Sequence, residues 1–392
     1  MTVITKKSRR ARHTFCAFIL CALVFILVSG QSYPSPAVNI RVCVAKGEDR
    51  ILLSVKGSYV IKAVNSDLEL GDGRYLKKEY VIPTNSGIRL GKKEYKIYGI
   101  RIIPKKDASI YVDKKRFRGV VDILRTEDLK LIVVNHLNLE EYLYGVMRSE
   151  VPHYWPMEAL KAQAIAARTF ALNRISGMRD RDYDVTSDIY SQVYGGRGGE
   201  RWRTTRAVKS TKNKILTYKG EIIPAYYHSI CGGHTENAEN VFGLEIAPLE
   251  GRPCPFCRGA KGMYWKVKLS YEEVEKLLNG YGIKVKNIRS IGEGSRDRSG
   301  RLKTIKITDT AGGRKIPCFK FRLAIGPNTI RSTDFTVKNA KNTAIFKGRG
   351  WGHGVGMCQW GAFEMAKRRL TYKKILEFYY PGAEIVDLEK AR

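Results

Sequence analysis

The stretch from Asn138 to Leu172, NLEEYLYGVMRSEVPHYWPMEALKAQAIAARTFAL, decides how the rest of the chain is read. Leu139, Leu143, Val146 and Met147 stand at i, i+4, i+7 and i+8, one face of a helix. Asn138 followed by Glu141 is a start signal for it. Pro152 ends it, because the residue before a proline is pushed out of the α region. Pro156 is a good first-turn residue, so a second helix is expected through EALKAQAIAARTFALNRI. Its stripe of Leu160, Ala164, Ala167 and Ala171 is small enough for close packing. Glu150 is thereby placed at the end of the first helix, beside Val151, Tyr154 and Trp155.

Outward from this pair of helices the period is different. From Ile40 to about Val134 short apolar runs alternate with turn signals: IRVCVAKGEDRILLSV, GSYVIKAVNSDLELGDGRYL, EYKIYGIRIIP, ASIYVD, and then FRGVVDILRTEDLKLIVVNHL. Val, Ile and Tyr content with Gly-Asp-Gly punctuation predicts antiparallel strands. Beyond Met263 a short helical piece, SYEEVEKLLNGYG, is set among further strands, and a last helix runs through KKILEFYYPG. The expectation is a mixed α+β protein. A β-rich N-terminal module over 38–115 precedes a strand-rich domain with a few short helices over 116–392.

The charge balance selects the setting. Lys and Arg number 70 against 38 Asp and Glu, a formal net charge of +32, while 43% hydrophobic and 10% aromatic content is that of a folded chain rather than a disordered polybasic one. Such a field attracts polyanions: nucleic acid, anionic lipid or acidic wall polymers. The N-terminus reads MTVITKKSRRARH, then FCAFILCALVFILV, then SGQS. A basic start, an apolar run of that length and a small-residue exit are the parts of an export signal, and residues 1–32 are expected to be a cleaved signal peptide or an uncleaved membrane anchor. The body is then expected outside the cytoplasm, at the outer face of the cytoplasmic membrane, in the periplasm or in the cell wall. That placement argues against nucleic acid as a partner and for anionic wall polymers or a membrane surface.

Glu150 invites a chemical reading. The end of a helix carries partial negative charge, and apolar flanks desolvate a carboxylate; both raise its pKa. A carboxyl that keeps its proton near neutral pH can act as a general acid. The plainer reading is a surface Glu bonded to the start of the next helix, and an inward Arg148 or Lys161 would cancel the effect.

These residues also carry a resemblance. The Asn138–Leu172 stretch, with Ser-Glu-x-Pro ahead of a tryptophan and an Ala-Leu-Lys-Ala-Gln-Ala helix, resembles the signature of the SpoIID/LytB family. DIYSQVYGG, HSICGGHTENAENVFG, and GWGHGVGMCQWGAFEMA with ILEFYYPGAEI agree with the family in the same order, and RFRGVVDI resembles the strand that introduces its domain. The resemblance implies a peptidoglycan enzyme. SpoIID itself is a lytic transglycosylase that cuts between N-acetylmuramic acid and N-acetylglucosamine and leaves a 1,6-anhydro end, and the Glu matching Glu150 is its catalytic residue. The resemblance also favours Lys161, Gln163, Tyr194, His353 and Gln359 as cleft residues. Arg168, on the same helix as Lys161 and Gln163, is a candidate for lining a sugar cleft; a solvated helix face is the alternative.

Two further patterns remain. GRGWGHGVG puts glycine at every second position from 348 to 356, which does not fit a dinucleotide fingerprint. It offers bare backbone to a glycan, with Trp351 and His353 alternating, or else a strand packed tightly under a helix. His228-x2-Cys231-x2-His234 followed by Cys254-x2-Cys257 offers four ligands out of five for a closed, structural Zn²⁺ site. A disulfide or plain thiols are the competing readings. Cys43, Cys318 and Cys358 read as isolated. The function expected from the resemblance is peptidoglycan cleavage with Glu150 as acid then base, with glycan strands as the partner and no cofactor needed for the chemistry. Rival readings are a glycan-binding activator of a wall amidase, a general polyanion binder, and a zinc amidase. The last is disfavoured because a thiolate-rich closed site leaves no position for water.

Overall fold

In the computed structural model, residues 38–177, 182–188 and 191–391 are described. The expected signal or anchor at 1–32 lies outside them. Among the described residues no helix is long and apolar enough to cross a membrane. The chain is mixed α+β. Its eight described helices are α1 Leu139–Glu150, α2 Met157–Ser176, α3 Trp202–Ser210, α4 Ala238–Phe242, α5 Tyr271–Gly280, α6 Cys318–Ile325, α7 Gln359–Lys367 and α8 Tyr372–Tyr379.

The N-terminal alternating runs build an eleven-stranded sheet. Its spine runs from Val185–Thr186 through Asn39–Glu48, Leu131–Asn138, Val120–Arg125, Gly99–Pro104, Ile51–Ala63 and Glu69–Pro83 to two short strands, Ile88–Leu90 and Lys93–Tyr95. The strand Asn39–Glu48 lies against Leu131–Asn138, with Ile40 opposite Leu137. Strands on both sides of residue 116 therefore share one set of backbone hydrogen bonds. Leu131–Asn138 leads directly into α1, whose first turn is capped by the Asn138 side chain accepting from the Glu140 N–H at 2.9 Å. Val151, held extended just before Pro152, ends the helix as the proline requires.

Helix α2 differs from the one-sided stripe expected of it. Thirteen of the fourteen residues from Ala159 to Leu172, all but Lys161, are buried, so every face of the helix is covered. Small alanines make this possible, since they let α1, α3, α7, α8 and the strand Lys214–Tyr218 all approach it. One consequence concerns Arg168. Its guanidinium is fully buried and grips both carboxylate oxygens of Glu140 at 2.7 and 2.8 Å, and it also donates to the carbonyls of Lys214 and Val208. It is a structural strut, and the expectation of a sugar contact for Arg168 is corrected. A helix surrounded on all sides has no solvated face for it to occupy.

A second apolar core, from Trp265 to Phe346, is built by α5, α6 and two three-stranded sheets, Tyr264–Ser270/Thr343–Arg349/Phe335–Ala340 and Ser290–Glu293/Thr304–Asp309/Gly312–Pro317. It is tied to the first through Arg301, which is buried and donates to the carbonyls of Cys231 and His234. Removing Arg168 leaves the largely covered Glu140 carboxylate and two backbone carbonyls without their partner. Arg168→Met is therefore expected to cost about 3–5 kcal/mol of stability. Urea unfolding of variant and parent checks this, and a loss under 1 kcal/mol would refute the strut.

Candidate active site

Glu150 ends α1 on the floor of a cleft of about 520 Å³. Its walls come from both cores: Phe170 and Arg174 of α2, Tyr226 and Tyr227 beside the strand Tyr227–His228, Trp351, His353 and Gln359 of the C-terminal block, and Phe319, Arg322 and Leu323 of α6. Among the described residues, Glu150 is the only carboxylate that lines the cleft.

Three donors meet the Glu150 side chain. The Val193 N–H reaches Oε1 at 3.2 Å, and the Tyr227 hydroxyl and the Gln359 amide also donate to it. Tyr227 is aligned by a buried relay in which the Tyr142 hydroxyl donates to Gln192 Oε1 at 3.0 Å and Gln192 Nε2 donates to the Tyr227 oxygen at 2.9 Å. That oxygen already accepts from Gln192, so its own proton is left for Glu150. No Lys or Arg among the described residues pairs with Glu150: Arg148 is directed to the Gly198 carbonyl and Lys161 is held by Glu158 at 2.7 Å. Desolvation by the surrounding protein therefore outweighs the three hydrogen bonds and pushes the carboxyl up to about 7. The dominant cause is burial.

The other candidates fall on two sides of this arrangement. Gln359 touches Glu150, and Gln163 supports it from below, its Oε1 accepting from Gln359 Nε2 at 3.4 Å. Gln163 is buried beneath the cleft and contributes only through Gln359. His353 lines the cleft, but its ring is fixed. Nδ1 accepts from the Val355 N–H at 3.1 Å, so the proton sits on Nε2, which donates to the Tyr227 carbonyl at 3.0 Å. Burial holds its pKa well below the ordinary imidazole value. It is a neutral brace for the Tyr227 backbone. Tyr194 is corrected outright: it is buried, its hydroxyl donates to Asn135 Oδ1 at 2.9 Å, and its ring fills the space left by the missing side chain of Gly145. Lys161 does not line the cleft; it lies beside Glu158 with its amine over the Tyr372 ring.

The glycine ladder also resolves toward packing. A Cβ on Gly356 would lie 2.0 Å from the Tyr226 carbonyl, and one on Gly354 would lie 2.8 Å from the Arg301 guanidinium. Both take positive φ. Bare backbone here admits the protein's own chain.

Sulfur chemistry lies directly behind the cleft. Cys231, Cys254, Cys257 and Cys358 are buried, and their four sulfurs lie within 4.8 Å of one another, a group able to hold a metal ion. The two histidines are not part of it, which corrects the expected ligand set. His228 Nδ1 is engaged by the Val355 carbonyl at 3.0 Å and His234 Nδ1 by the Thr235 carbonyl at 2.6 Å. The place assigned to a histidine is taken by Cys358, which had read as isolated because a hundred residues separate it from the Cys-x2-Cys pair. It reaches the group because Met357–Cys358 pairs in parallel with Tyr227–His228. Its Sγ accepts from the Cys231 and Gly361 N–H groups. Tyr227 and Gln192 were likewise missed; no local spacing marks them.

Comparison with known proteins now places the chain. The family model of the stage II sporulation protein, SpoIID, matches residues 127–218, the segment that carries both helices and Glu150. A domain of unknown function, DUF8618, matches residues 258–356, the second core. The chain is 32% identical to the stage II sporulation protein D of Bacillus subtilis, with 65% of this chain and 76% of that one covered. It is 37% identical to an uncharacterized protein of Brachyspira hyodysenteriae, with 86% and 90% covered. It is 28% identical to the amidase enhancer of Bacillus subtilis, of whose length it spans 52%. The chain belongs to the SpoIID/LytB family.

A carboxyl raised from its unfolded value makes a signed prediction. The folded state holds the proton between about pH 4.5 and 7 while the unfolded state has lost it. The stabilisation is therefore full below about 4.5 and lost as pH rises through about 7. The stability of the parent minus that of Glu150→Gln should fall across this window by up to about 3 kcal/mol and be flat outside it. Denaturant melts at stepped pH measure it; a flat difference would mean that Glu150 titrates as an ordinary surface carboxylate.

Proposed function

We propose that the chain is a peptidoglycan lytic transglycosylase acting outside the cytoplasmic membrane, in wall remodelling or sporulation, with the activity carried by residues 116–392. The observation that carries this reading is the single cleft carboxylate whose pKa is raised to about 7. Hydrolytic glycosidases use two carboxyl groups, one for the leaving oxygen and one for water or the anomeric carbon. One carboxyl suffices when the nucleophile is the substrate's own C6 hydroxyl. Protonated Glu150 gives its proton to the glycosidic oxygen as the bond from C1 breaks. The resulting carboxylate takes the C6 hydroxyl proton as that oxygen bonds to C1 and closes the 1,6-anhydro ring, which returns Glu150 to its starting state. Val193, Tyr227 and Gln359 stabilise the carboxylate form between the two transfers. The net charge of +32 supports retention on anionic wall polymers or lipid surfaces.

The amidase enhancer relative favours a second reading, a non-catalytic glycan-binding partner of a wall amidase. Mass spectrometry of products from purified glycan strands separates the two. The parent is expected to release anhydro-muramic ends, with rate falling about tenfold per pH unit above about 7, and Glu150→Gln is expected to lose roughly 10²–10⁴-fold. Reducing ends would mean hydrolysis. No products from either protein, together with stimulation of an amidase by both, would favour the activator.

The four-thiol group fits Zn²⁺ by its donors and its size. Thiolates bind zinc at about 2.3 Å in a tetrahedron, which places the sulfurs about 3.8 Å apart. Four sulfurs leave no open position, so the ion would be structural, holding Cys358, and hence Gln359, against the Tyr227 strand. Cys358→Ala is expected to abolish binding of about one zinc per chain and to lower the melting temperature. Metal content by mass spectrometry and a thermal melt test this. A metal-free parent with paired disulfides would establish the disulfide reading.

A further inference from the structure

The cleft holds two cations that the proposed proton transfers do not use. Arg322 of α6 is 6% exposed. Its Nε donates to the Arg331 carbonyl at 3.1 Å, which fixes the plane of the guanidinium. Among the described residues no carboxylate lies within ion-pair distance of it, and none pairs with Arg174 of α2, whose guanidinium rests over the Phe170 ring. Both line the cleft that holds Glu150. Burial lowers the Arg322 pKa only to about 10, so the side chain is charged at neutral pH. A nearly buried guanidinium is ordinarily paired inside the protein. Glu150, the one acid lining this cleft, is itself kept protonated by its surroundings to about pH 7 and cannot serve as a standing counter-ion.

Resting on the glycan reading above, we propose that Arg322 and Arg174 form a carboxylate-binding subsite that reads the charge of the substrate strand. With Nε occupied, the two terminal amino groups of Arg322 form a fork suited to both oxygens of a carboxylate. Arg331, whose guanidinium stacks over Trp351 at 4.5 Å, adds positive potential at the same wall. Peptidoglycan can supply a carboxylate from two places: the lactyl ether of a muramyl residue whose peptide is absent, or the acidic positions of a stem peptide. Glycans built from N-acetylglucosamine alone have neither. The subsite would therefore select muramyl-containing strands over chitin-like ones by charge, while Glu150 and its donors act on the bond.

Isothermal titration of the full chain carrying Glu150→Gln tests this with four ligands. These are a muramyl tetrasaccharide with free lactyl carboxylates, the same compound with those groups converted to methylamides, the peptide-bearing compound, and an N-acetylglucosamine tetrasaccharide. A carboxylate contact predicts at least roughly tenfold tighter binding of a charged glycan than of its neutral counterparts. That ratio should fall toward one when Arg322→Gln is added, and be partly restored by Arg322→Lys. Preference for the free lactyl compound assigns the lactyl group as the source, and preference for the peptide-bearing compound assigns the stem peptide. Equal affinity for charged and methylamidated glycan overturns the proposal. Arg174→Gln, which removes a side chain resting only on an aromatic ring, carries the same test should Arg322→Gln fail to fold. If no glycan binds while citrate still protects the chain against thermal unfolding in an Arg322-dependent way, the anion subsite stands and the glycan reading falls.

Discussion

Two residue pairs, Tyr227 opposite Met357 and His228 opposite Cys358, form a short parallel ladder on which the functional half of the molecule depends. Successive residues of a strand point to opposite faces. On one side, Tyr227 and Gln359 reach Glu150 at the end of α1; on the other, Cys358 meets Cys231, Cys254 and Cys257. A two-residue ladder is too short to hold register alone. It is supported by the neutral His353 ring under the Tyr227 carbonyl, by the close approach of Gly356 to Tyr226, and by the thiol group behind it.

The electrostatics follow from where charge is neutralised and where it is not. Glu140 is half-buried and both its carboxylate oxygens are gripped by the Arg168 guanidinium. Glu150, at the other end of the same helix, receives neutral donors only. Three of them do not replace the hydration that burial removes, and its pKa rises accordingly. Two acids ten positions apart on one strand-led helix thus meet opposite surroundings, an ion pair for Glu140 and neutral donors for Glu150. The difference is set by partners from segments 28 to 209 residues away.

Much of the local structure was legible from residue types. The strand periodicity before Val134, the Asn138 cap, the Pro152 stop and the helix from Met157 all appear at or within a residue or two of where the pattern puts them. The motifs of the C-terminal half also directed attention to Gln359 and to a sulfur site. Misassignments had one common origin. Arg168, Tyr194 and the glycine ladder are residue types that suit a cleft and a core equally, and only packing separates the two. His228 and His234 had metal-ligand spacing, but their rings are not among the ligand groups that converge, while Cys358 had no spacing to announce it.

By itself, then, the sequence determined the elements, the export-like basic and apolar start, the position of Glu150 at a helix end and the family to which the chain belongs. These depend on interactions within about ten residues, or on motifs that keep their order along the chain. Tertiary structure alone decided which titratable groups are desolvated, which four sulfurs converge, and that Arg322 from the second core lines the same cleft as Glu150 from the first. Desolvation and convergence are properties of what lies across the fold, and no window of sequence contains both sides of a cleft.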